Sequence, residues 1–590
     1  MSIYIDKLKK CNTISDFIDE FNLGLSVKQF GYIVYGLTDD KKYQPFNIPK
    51  ATGGSRLIYA PKKSLKFLQK QFADIFLQCI LDIQNQNPQY LKCNHAFEKH
   101  KSIISNAQLH QKKRYILNID LSDFFGSIHY GRIKGFLVND KYFGMSESGA
   151  RIIAKLATCH QKLPQGSPLS PILASLIGNT LDIRLVKLAK KYKLTYTRYA
   201  DDITLSSNID FRKNFVDWDE IESMWVVNPN LEKTINKSGF SINPQKTRYV
   251  TFHSRQVVTG LVVNKHTNVS SEYKKQNRAM VDSLLKTGSF YILKNNEKTK
   301  GNINQLIGRL NYTVYAKYYQ PIIATHLLPE ERENIKKANK NHLTKTINSS
   351  WQKNKKDTSK ADHQTKLLRN VLFFKYFIQL DKTKIFPEGL TDIAYLQAAA
   401  EALEKKNDYS FQRINASLGK LGITGGTPPI NTFINYLGNK DFLTLEQFQV
   451  QSNYPAIFIL DYDQGLKDKA NITSKFDKHK GKQYIHIDRN IYILLLEKYN
   501  ADYGESAKAI CIENLIQYNG SPISTAGEKN EDIKWNERIM SKMEFSKIVF
   551  EKPKSFDFTR FSHVFELISE IERDYAEKMQ LWGKLDQQQA

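Results

Sequence analysis

Two adjacent carboxylates, Asp201 and Asp202, lie in the stretch TYTRYADDITLSS and could bind a divalent metal ion. Strand-forming residues flank them on both sides, which predicts a β-hairpin that presents acidic side chains at its tip. A third carboxylate, Asp120, ends the apolar run YILNID, which is typical of a buried strand. Carboxylate oxygens suit Mg²⁺, and two such ions about 4 Å apart can activate an attacking hydroxyl and stabilise a leaving pyrophosphate. The three acids therefore predict a site for nucleotidyl transfer.

Segments around these acids occur in the order of the motifs of reverse transcriptases. YILNIDLSDFF resembles motif A, and RYADDIT resembles motif C. LPQGSPLSP, with Gln165 and Gly166, resembles motif B, whose glycine-containing turn lets the backbone approach the nascent base pair. GFSINPQKT resembles motif D and would place Lys246 near the incoming triphosphate, although a solvated lysine is the alternative. The resemblance implies a right-hand polymerase of fingers, palm and thumb, with two Mg²⁺ ions held by the three acids.

Two further features concern how the incoming nucleotide would be held. The segments IPK and SRLI flank a Gly-Gly turn and predict a hairpin in which Lys50 and Arg56 could grip phosphates. By resemblance to the family, the ring of Phe125 is the steric gate that occupies the space a ribose 2′-hydroxyl would need. An aromatic residue after a buried strand usually belongs to the core, so both interpretations of Phe125 remain open.

Two short strings narrow the resemblance to bacterial retron reverse transcriptases. NAQLH, with Asn106 and His110, matches the family's NAxxH element, and Val258, Thr259 and Gly260 match its VTG element. Either string could also be a helix segment or a strand turn of no special function. The resemblance implies an enzyme that takes dNTPs, uses one structured non-coding RNA as template and primer, and leaves a branched RNA–DNA product. The five residues are candidates for binding that RNA.

The composition agrees with a nucleic-acid partner. The chain has 86 Lys and Arg against 60 Asp and Glu, a net charge of +26 and a pI of about 9.4, which favours polyanions. The Lys- and Arg-rich residues 336–369 predict either a solvated linker helix or a tract along the RNA. The five cysteines form no CxxC pair, and no apolar run reaches signal-peptide or membrane-spanning length. We therefore expect a cytoplasmic protein without a membrane partner, and the sequence leaves a homo-oligomer open.

Residues 379–590 alternate apolar strands with helical stretches, an α/β pattern. KIFPEGLTD places Glu388 after a short apolar strand, and AIFILDYDQG places Asp461 and Asp463 after another. In a parallel sheet, ligand sites lie beyond the carboxyl ends of the strands, so these acids can converge on one or two Mg²⁺ ions. The pattern resembles a Toprim domain, as in topoisomerases, primases and the overcoming-lysogenization-defect nucleases. A later acid, Glu513, could add a further ligand, but an ordinary surface glutamate is the favoured interpretation.

These observations predict an α+β right-hand polymerase followed by an α/β, Rossmann-like Toprim domain. The expected divisions are fingers and palm at 1–265, a helical thumb at 266–345, a basic connecting segment at 346–378 and the Toprim-like domain at 379–590. The predicted protein is a retron RNA-directed DNA polymerase that makes branched RNA–DNA (msDNA). The resemblance further implies that its Toprim effector, a Mg²⁺-dependent nuclease with Glu388 among the catalytic residues, acts in anti-phage defence. The alternatives are a group II intron-like or other bacterial defence reverse transcriptase, and a nucleic-acid-binding scaffold whose C-terminal domain is not catalytic.

Overall fold

The structure is a computed structural model of the 590-residue chain, and its contacts divide the chain into two compact units. Unit 1 comprises Met1–Ser270 and Ala316–Ala338, and unit 2 comprises Ser271–Tyr315 and Asn339–Ala590. The structure describes residues 3–49, 53–294, 297–318, 362–424, 426–437, 439–440, 442–461, 483–496, 511–526, 532–535 and 538–589. Two of the predicted site residues, Lys50 and Asp463, lie outside the described residues.

Unit 1 combines helices with a four-stranded sheet and several hairpins. Its strands are β1 (Tyr43–Pro49), β2 (Ser55–Pro61), β3 (Tyr115–Ser122), β4 (Thr195–Tyr199), β5 (Asp202–Ser207), β6 (Val216–Asp219), β7 (Met224–Val227), β8 (Ser241–Thr251), β9 (Val257–Val258) and β10 (Leu261–Val262). Its helices are Ile3–Lys10, Ile14–Phe21, Val27–Gly31, the π-helical turn Tyr32–Gly36, Asp39–Lys42, Lys63–Gln86, Ile103–Gln108, Tyr130–Asn139, Glu147–Ala157, Ser170–Lys191, Arg212–Phe215 and Pro229–Asn236.

The four-stranded sheet of unit 1 positions the predicted acids. Its strands are antiparallel and lie in the order β4, β5, β3, β8. The predicted acidic hairpin is present, because β4 and β5 are joined by a turn at residues 200–201. The apolar residues of β3 are buried, as expected for the strand that ends in Asp120. Helix Ser170–Lys191 packs against β4 and braces the hairpin.

The predicted fingers hairpin is also present. β1 and β2 pair antiparallel from Tyr43 opposite Pro61 to Pro49 opposite Ser55. Gly53 and Gly54 follow one another with φ of 90° and 76°, a left-handed conformation that side chains other than glycine rarely adopt. The two glycines therefore allow the chain to reverse before β2.

Unit 2 contains a mostly parallel sheet of five strands in the order β14, β13, β15, β17, β16, in which only β16 is antiparallel to its neighbour. The strands of the unit are β11 (Tyr291–Lys294), β12 (Glu297–Lys300), β13 (Thr383–Pro387), β14 (Tyr409–Phe411), β15 (Ala456–Leu460), β16 (Tyr484–Asp488), β17 (Ile491–Leu495), β18 (Gln517–Tyr518), β19 (Ser521–Pro522), β20 (Ser524–Ala526), β21 (Asp532–Trp535) and β22 (Arg538–Ser541). Its helices are Ser271–Thr287, Ile303–Tyr318, His363–Phe373, the π-helical turn Phe374–Ile378, Asp392–Ala402, Ala416–Gly419, Thr427–Tyr436, Lys542–Glu551 and Phe561–Gln589, with 3₁₀ turns at Leu445–Gln447, Ile512–Leu515 and Pro553–Ser555.

Both faces of the five-stranded sheet are covered, as buried parallel strands require. Alternate residues of β13 and β15 point to opposite faces: Ile385 and Ile457 join the core beneath helix Phe561–Gln589, whereas the rings of Phe386 and Phe458 stack on the other side. The helices on two faces make this part of the unit the α/β architecture that its sequence pattern predicted.

The helices predicted for the thumb are present within unit 2. Helix Ser271–Thr287 starts beside the predicted position near Ser270, and Leu306 and Leu310 on helix Ile303–Tyr318 are buried. Helix Ser271–Thr287 packs on helix His363–Phe373, and the Nε of Arg309 donates to Asn277 Oδ1 at 2.8 Å. The predicted division between thumb and C-terminal domain stays a prediction, since the contacts group both into one unit.

The described end of the predicted basic connecting segment is not a solvated linker. Residues 346–361 lie outside the described residues, but helix His363–Phe373 is buried along most of its length. Arg369 is 1% exposed, and its guanidinium lies 4.5 Å from the centre of the Phe442 ring. This part of the segment contributes to a core, because its apolar residues outweigh its charges. Among the described residues, we find no helix with the length and apolar character needed to cross a membrane.

Candidate functional site

The predicted acids Asp120, Asp201 and Asp202 come together at one end of the unit 1 sheet. Asp120 lies directly opposite Asp202 in the pairing of β3 with β5. The backbone N–H of Leu121 donates to the carbonyl oxygen of Asp201 at 3.0 Å, which fixes the turn against β3. Asp120 is 8% exposed, whereas Asp202 keeps an exposed edge. Two neighbouring strands therefore hold the three carboxylates together.

The electrostatics of this cluster suit a cation. Burial, and then the negative charge of Asp120, raise the pKa of Asp201 above its ordinary value. Burial, together with the charges of Asp201 and Asp120, raises the pKa of Asp202 to about 6. A bound divalent ion would relieve this repulsion, and the donors are hard carboxylate oxygens of the kind Mg²⁺ prefers. The residues present therefore fit the metal that the sequence predicted.

Lys246 lies next to the three acids of unit 1. Its Nζ is 2.9 Å from Asp120 Oδ1, because β8 lies next to β3 in the sheet. The hydrogen bond with Asp120 raises the pKa of Lys246, and the nearby Asp201 and Asp202 add to this effect. The Lys246 side chain remains 61% exposed, so its ammonium group can reach a ligand in solution. Arg56 on β2 is exposed, and its positive charge also acts on Asp201.

A buried ion pair between Arg198 and Asp182 supports the turn at residues 200–201. Arg198 on β4 is 1% exposed and donates from Nε and Nη2 to the two carboxylate oxygens of Asp182, each at 2.7 Å. Its third donor, Nη1, bonds to the carbonyl oxygen of Ala200 at 3.1 Å. Ala200 has a φ of 55°, a left-handed conformation that is unfavourable for alanine. The Arg198 contact therefore helps to hold a strained residue immediately before Asp201.

The motif B loop is fixed to the fingers hairpin. The backbone N–H of Tyr59 donates to the carbonyl oxygen of Gln165 at 2.9 Å. Gly166 has a φ of 114°, and a Cβ there would lie 2.7 Å from Ile58 Cγ2 and 3.0 Å from the Tyr59 carbonyl oxygen. The glycine is therefore required by the close approach of β2, a reason that the sequence did not indicate. The approach to a nascent base pair stays a prediction.

Phe125 takes part in an aromatic group but is not fully buried. Its ring centroid lies 5.5 Å from that of Phe124 and 6.2 Å from that of Phe97, in both cases edge to face. Phe124 is 3% exposed and belongs to the core, whereas Phe125 packs on the core's surface. The arrangement leaves the predicted role of Phe125 as a steric gate open to experiment.

The two retron strings lie together although they are far apart in sequence. The Thr259 hydroxyl donates to the Ile103 carbonyl oxygen at 2.9 Å, and helix Ile103–Gln108 packs on β9 and β10. Thr259 and Gly260 both have positive φ, at 45° and 79°, and Val258 is fully buried. The strings therefore build one local substructure.

Within this substructure, His110 is fully buried and bonds to Ser206 Oγ at 2.6 Å and to Thr197 Oγ1 at 2.7 Å. Burial lowers its pKa to about 3, so the imidazole is neutral. Asn106 is 1% exposed, and neither amide atom has a hydrogen-bond partner among the described residues. These contacts favour a structural role for His110, which joins β4 to β5, over the RNA contact that the sequence predicted.

A second acidic cluster lies at the carboxyl ends of β13 and β15 in unit 2. Glu388 follows β13, Asp461 follows β15, and the backbone N–H of Asp461 donates to Glu388 Oε2 at 3.3 Å. The backbone N–H of Gly426 donates to the Glu388 carbonyl oxygen at 3.1 Å. The two acids thus meet at the sheet edge where the strand pattern placed them.

Sequence reasoning did not identify Asp392 and Lys542 in this second cluster, and it favoured a surface position for Glu513. Glu513 is 1% exposed and pairs with Lys542 at 2.7 Å, so the expectation of a surface glutamate was wrong. Asp392, at the start of the helix after β13, accepts from the backbone N–H of Gly389 at 2.7 Å. Asp392 follows Glu388 by four residues at the start of a helix, and this spacing could have indicated that Asp392 belongs to the cluster.

Burial raises the pKa of Asp392 to about 6, with Glu513 and Glu388 adding repulsion. Burial also raises the pKa of Asp461 well above its ordinary value, again with neighbouring acids contributing. Burial would lower the pKa of Lys542, but Glu513 raises it overall. Among the described residues, the cluster is therefore a crowded set of carboxylates with one cation, Lys542, and its oxygen donors fit a divalent metal.

Comparisons with known proteins match part of the chain to reverse transcriptases. The family described as "Reverse transcriptase (RNA-dependent DNA polymerase)" matches residues 48–279. The retron Ec86 reverse transcriptase of Escherichia coli is 33% identical over 260 residues, which cover 44% of this chain and 74% of that protein. The retron Ec73 reverse transcriptase of Escherichia coli is 30% identical over 310 residues, covering 49% of this chain and 87% of that protein. With the retron Mx65 reverse transcriptase of Myxococcus xanthus the identity is 32%, and the match spans only 56% of that protein.

Solved structures give weaker similarity. A telomerase from Candida albicans in complex with a TWJ fragment of telomeric RNA matches 57% of this chain and 64% of that chain, at 11% identity and a TM-score of 0.29. A Candida tropicalis telomerase in complex with the same kind of fragment matches 68% of this chain and 62% of that chain, at 12% identity and a TM-score of 0.28. Scores this low carry no argument about this chain.

Proposed function

Since this chain belongs to the bacterial retron reverse transcriptases, we propose that it is an RNA-directed DNA polymerase whose chemistry takes place at Asp120, Asp201 and Asp202. The observation that carries the proposal is the pairing of Asp120 with Asp202 on adjacent strands, with Asp201 in the turn between β4 and β5. A scaffold that only binds nucleic acid has no need of three converging carboxylates, because repulsion between them is unfavourable.

The reaction joins a primer hydroxyl to the α-phosphorus of a dNTP and breaks the bond to the β-phosphate, so that pyrophosphate leaves. Two Mg²⁺ ions would activate the hydroxyl and stabilise the leaving group when bound. The three carboxylates would hold these ions. Lys246 and Arg56 would supply positive charge to the triphosphate, and Lys50, outside the described residues, would do so from the same hairpin. Phe125 would exclude ribonucleotides at the sugar.

The partner proposed for the polymerase is a structured non-coding RNA that serves as template and primer, with a branched RNA–DNA as product. The net charge of +26 and the family support this proposal. The helix Ile103–Gln108 with β9 and β10 would form part of the contact to this RNA through exposed residues, such as Leu109, which is 49% exposed.

A direct experiment is to purify the full chain and to sequence the nucleic acid that accompanies it. A discrete branched RNA–DNA species, together with dNTP- and Mg²⁺-dependent extension on that RNA, is the expected result. A mixture of host RNA without any DNA extension would reject the proposal.

A second candidate function concerns unit 2, where we propose a Toprim-like nuclease site. The specific observation is the convergence of Glu388, Asp392, Asp461 and Glu513 at the carboxyl edge of a mostly parallel sheet. These carboxylates would hold one or two Mg²⁺ ions, and Asp463, outside the described residues, would join them. Lys542 would stabilise negative charge at the phosphate that is cut. Such an effector, controlled by the RNA–DNA product, would serve anti-phage defence.

A further inference from the structure

The thiol of Cys511 lies beside the carboxylates of the second acidic cluster. Cys511 Sγ, one oxygen of Asp461 and one oxygen of Glu513 lie within 4.8 Å of one another. Asp461 follows β15, whereas Cys511 and Glu513 belong to the 3₁₀ turn Ile512–Leu515 and the residue before it. The three side chains therefore converge from two separate parts of the chain.

Hydrogen bonds fix the relative positions of the three groups. Asp461 Oδ1 accepts from the backbone N–H of Ile512 at 3.0 Å, which ties this carboxylate to the segment between the other two. The backbone N–H of Cys511 donates to Asn514 Oδ1 at 2.9 Å, and the Cys511 sulfur accepts from the backbone N–H of Asn514. These bonds fix the position of the sulfur, and Cys511 as a whole is half-buried.

The carboxylate of Glu513 gives independent support for a cation at this place. The residue is 1% exposed, and one oxygen pairs with Lys542 Nζ at 2.7 Å. The other oxygen, Oε2, is buried and has no hydrogen-bond partner among the described residues. Leaving a buried carboxylate oxygen without a partner is unfavourable, so Oε2 lacks the second partner that a bound metal would supply beside Lys542.

We propose that Cys511, Asp461 and Glu513 form a mixed thiolate and carboxylate site that binds Zn²⁺. Mg²⁺ takes oxygen ligands only, whereas Zn²⁺ binds Cys sulfur at about 2.3 Å and carboxylate oxygen at about 2.0–2.2 Å. Tetrahedral geometry at these bond lengths places ligand atoms roughly 3.3–3.7 Å apart, which small side-chain rotations reach from the observed spacing. On binding, the thiol proton passes to solvent and the sulfur–zinc bond forms.

The proposal rests on the cation site proposed for unit 2, because Asp461 is common to both, and it adds a sulfur ligand to that site. Zn²⁺ and Mg²⁺ therefore compete for Asp461. Occupation by Zn²⁺ would remove Asp461 from the nuclease reaction, so the thiol makes the effector site sensitive to a softer metal.

Co²⁺ tests the proposal because a cobalt–thiolate bond gives a charge-transfer band in the near ultraviolet, whereas carboxylate ligands give none. The probe is added to the reduced full chain carrying Asp201→Asn and Asp202→Asn, which removes binding at the polymerase acids. We expect the band in this protein, and in the matched control Cys93→Ser, which removes the other half-buried thiol. Cys511→Ser should abolish the band, Asp461→Asn should weaken Co²⁺ binding at least tenfold, and added Zn²⁺ should displace Co²⁺.

Each other result has a definite meaning. A band that persists in Cys511→Ser would overturn the proposal. Binding of Co²⁺ that depends on Asp461 but gives no thiolate band would also overturn it, while leaving the carboxylate site of the proposed nuclease intact. If no Co²⁺ binding depends on Asp461, both the zinc site and the proposed nuclease site are rejected. Circular dichroism of each variant separates these results from loss of the fold.

Discussion

The guanidinium of Arg198 donates to the carbonyl oxygen of Ala200, 3.1 Å away, while the same group is held by both carboxylate oxygens of Asp182. Ala200 has a φ of 55° and directly precedes Asp201. The buried ion pair thus connects helix Ser170–Lys191 to the turn that carries the proposed metal ligand Asp201. The position of Asp201 therefore depends on a buried network formed by Arg198, Asp182 and Ala200.

Gly178→Ala should lower the rate of DNA synthesis by about tenfold or more. An added Cβ would lie 2.7 Å from Arg198 Nη2, and displacement of reacting groups by about 1 Å can reduce rates on the order of 100-fold. We expect kcat to fall and the affinity for template RNA to stay unchanged. Steady-state extension assays at saturating RNA measure both quantities.

Gly135→Ala is the matched control, because Gly135 is also helical and a Cβ there meets no atom within 4 Å. This variant should keep full activity and gain up to about 1 kcal/mol of stability from helix propensity. Equal activity of the Gly178 and Gly135 variants would show that the ion pair does not position the turn.

Phe125→Ala should allow ribonucleotides to be incorporated, because the ring that packs on Phe97 and Phe124 would no longer fill the space beside the sugar. The measurement is the ratio of kcat/KM for a dNTP to that for the matching rNTP. Phe97→Ala removes a neighbouring ring and serves as the control. A lower melting temperature with unchanged sugar selectivity would identify Phe125 as a core residue only.

The concentration of Mg²⁺ needed for half-maximal DNA synthesis should rise as the pH falls through about 6. Burial and neighbouring carboxylates raise the pKa of Asp202 to about 6, so below that pH a proton competes with the metal for this group. Above that pH the carboxylate is ionised and the requirement should level off. Magnesium titrations at several pH values give the Mg²⁺ concentration at half-maximal rate, which is separate from any change in kcat. A constant half-saturation between pH 5.5 and 7.5 would contradict it.

Glu388→Gln and Asp461→Asn should each remove any nuclease activity while DNA synthesis continues, because unit 1 holds its own set of acids. The double variant should resemble either single one, since residues that serve one metal-dependent step fail together. Cleavage of single- and double-stranded DNA and RNA is the readout. The control is Glu401→Gln, on the same helix as Asp392 but paired with Lys406 at the surface. If cleavage survives both substitutions, these acids do not form a nuclease site, and the domain would instead be a binding platform for nucleic acid.

The sequence allowed the acids to be predicted because their signal is local. A strand that ends in a carboxylate, as at Asp120, Glu388 and Asp461, needs only neighbouring residues to be recognised. The burial of Arg198 and Glu513 could not be predicted from neighbouring residues. Their burial depends on Asp182 and Lys542, which reach them only after the chain has folded.

Charge alone was a poor guide to exposure in the segment that contains helix His363–Phe373. The density of Lys and Arg predicted contact with solvent or RNA, yet Arg369 packs under the ring of Phe442. An arginine has a long apolar stem and a planar head that stacks on aromatic rings, so it can belong to a core. His110 is a similar case, since the sequence predicted an RNA contact and the structure shows a buried side chain that bonds to Ser206 and Thr197.

The central claim is that Asp120, Asp201 and Asp202 carry out DNA synthesis on an RNA template. Its most direct test compares the full chain with the Asp201→Asn, Asp202→Asn double variant in extension of a primed RNA by dNTPs, alongside RNA affinity at the same salt concentration. We predict that synthesis falls below detection while RNA affinity is retained, because the proposed function assigns the metal to the carboxylates and the RNA to the basic surface. DNA synthesis by the double variant at the rate of the unmodified chain would contradict the account.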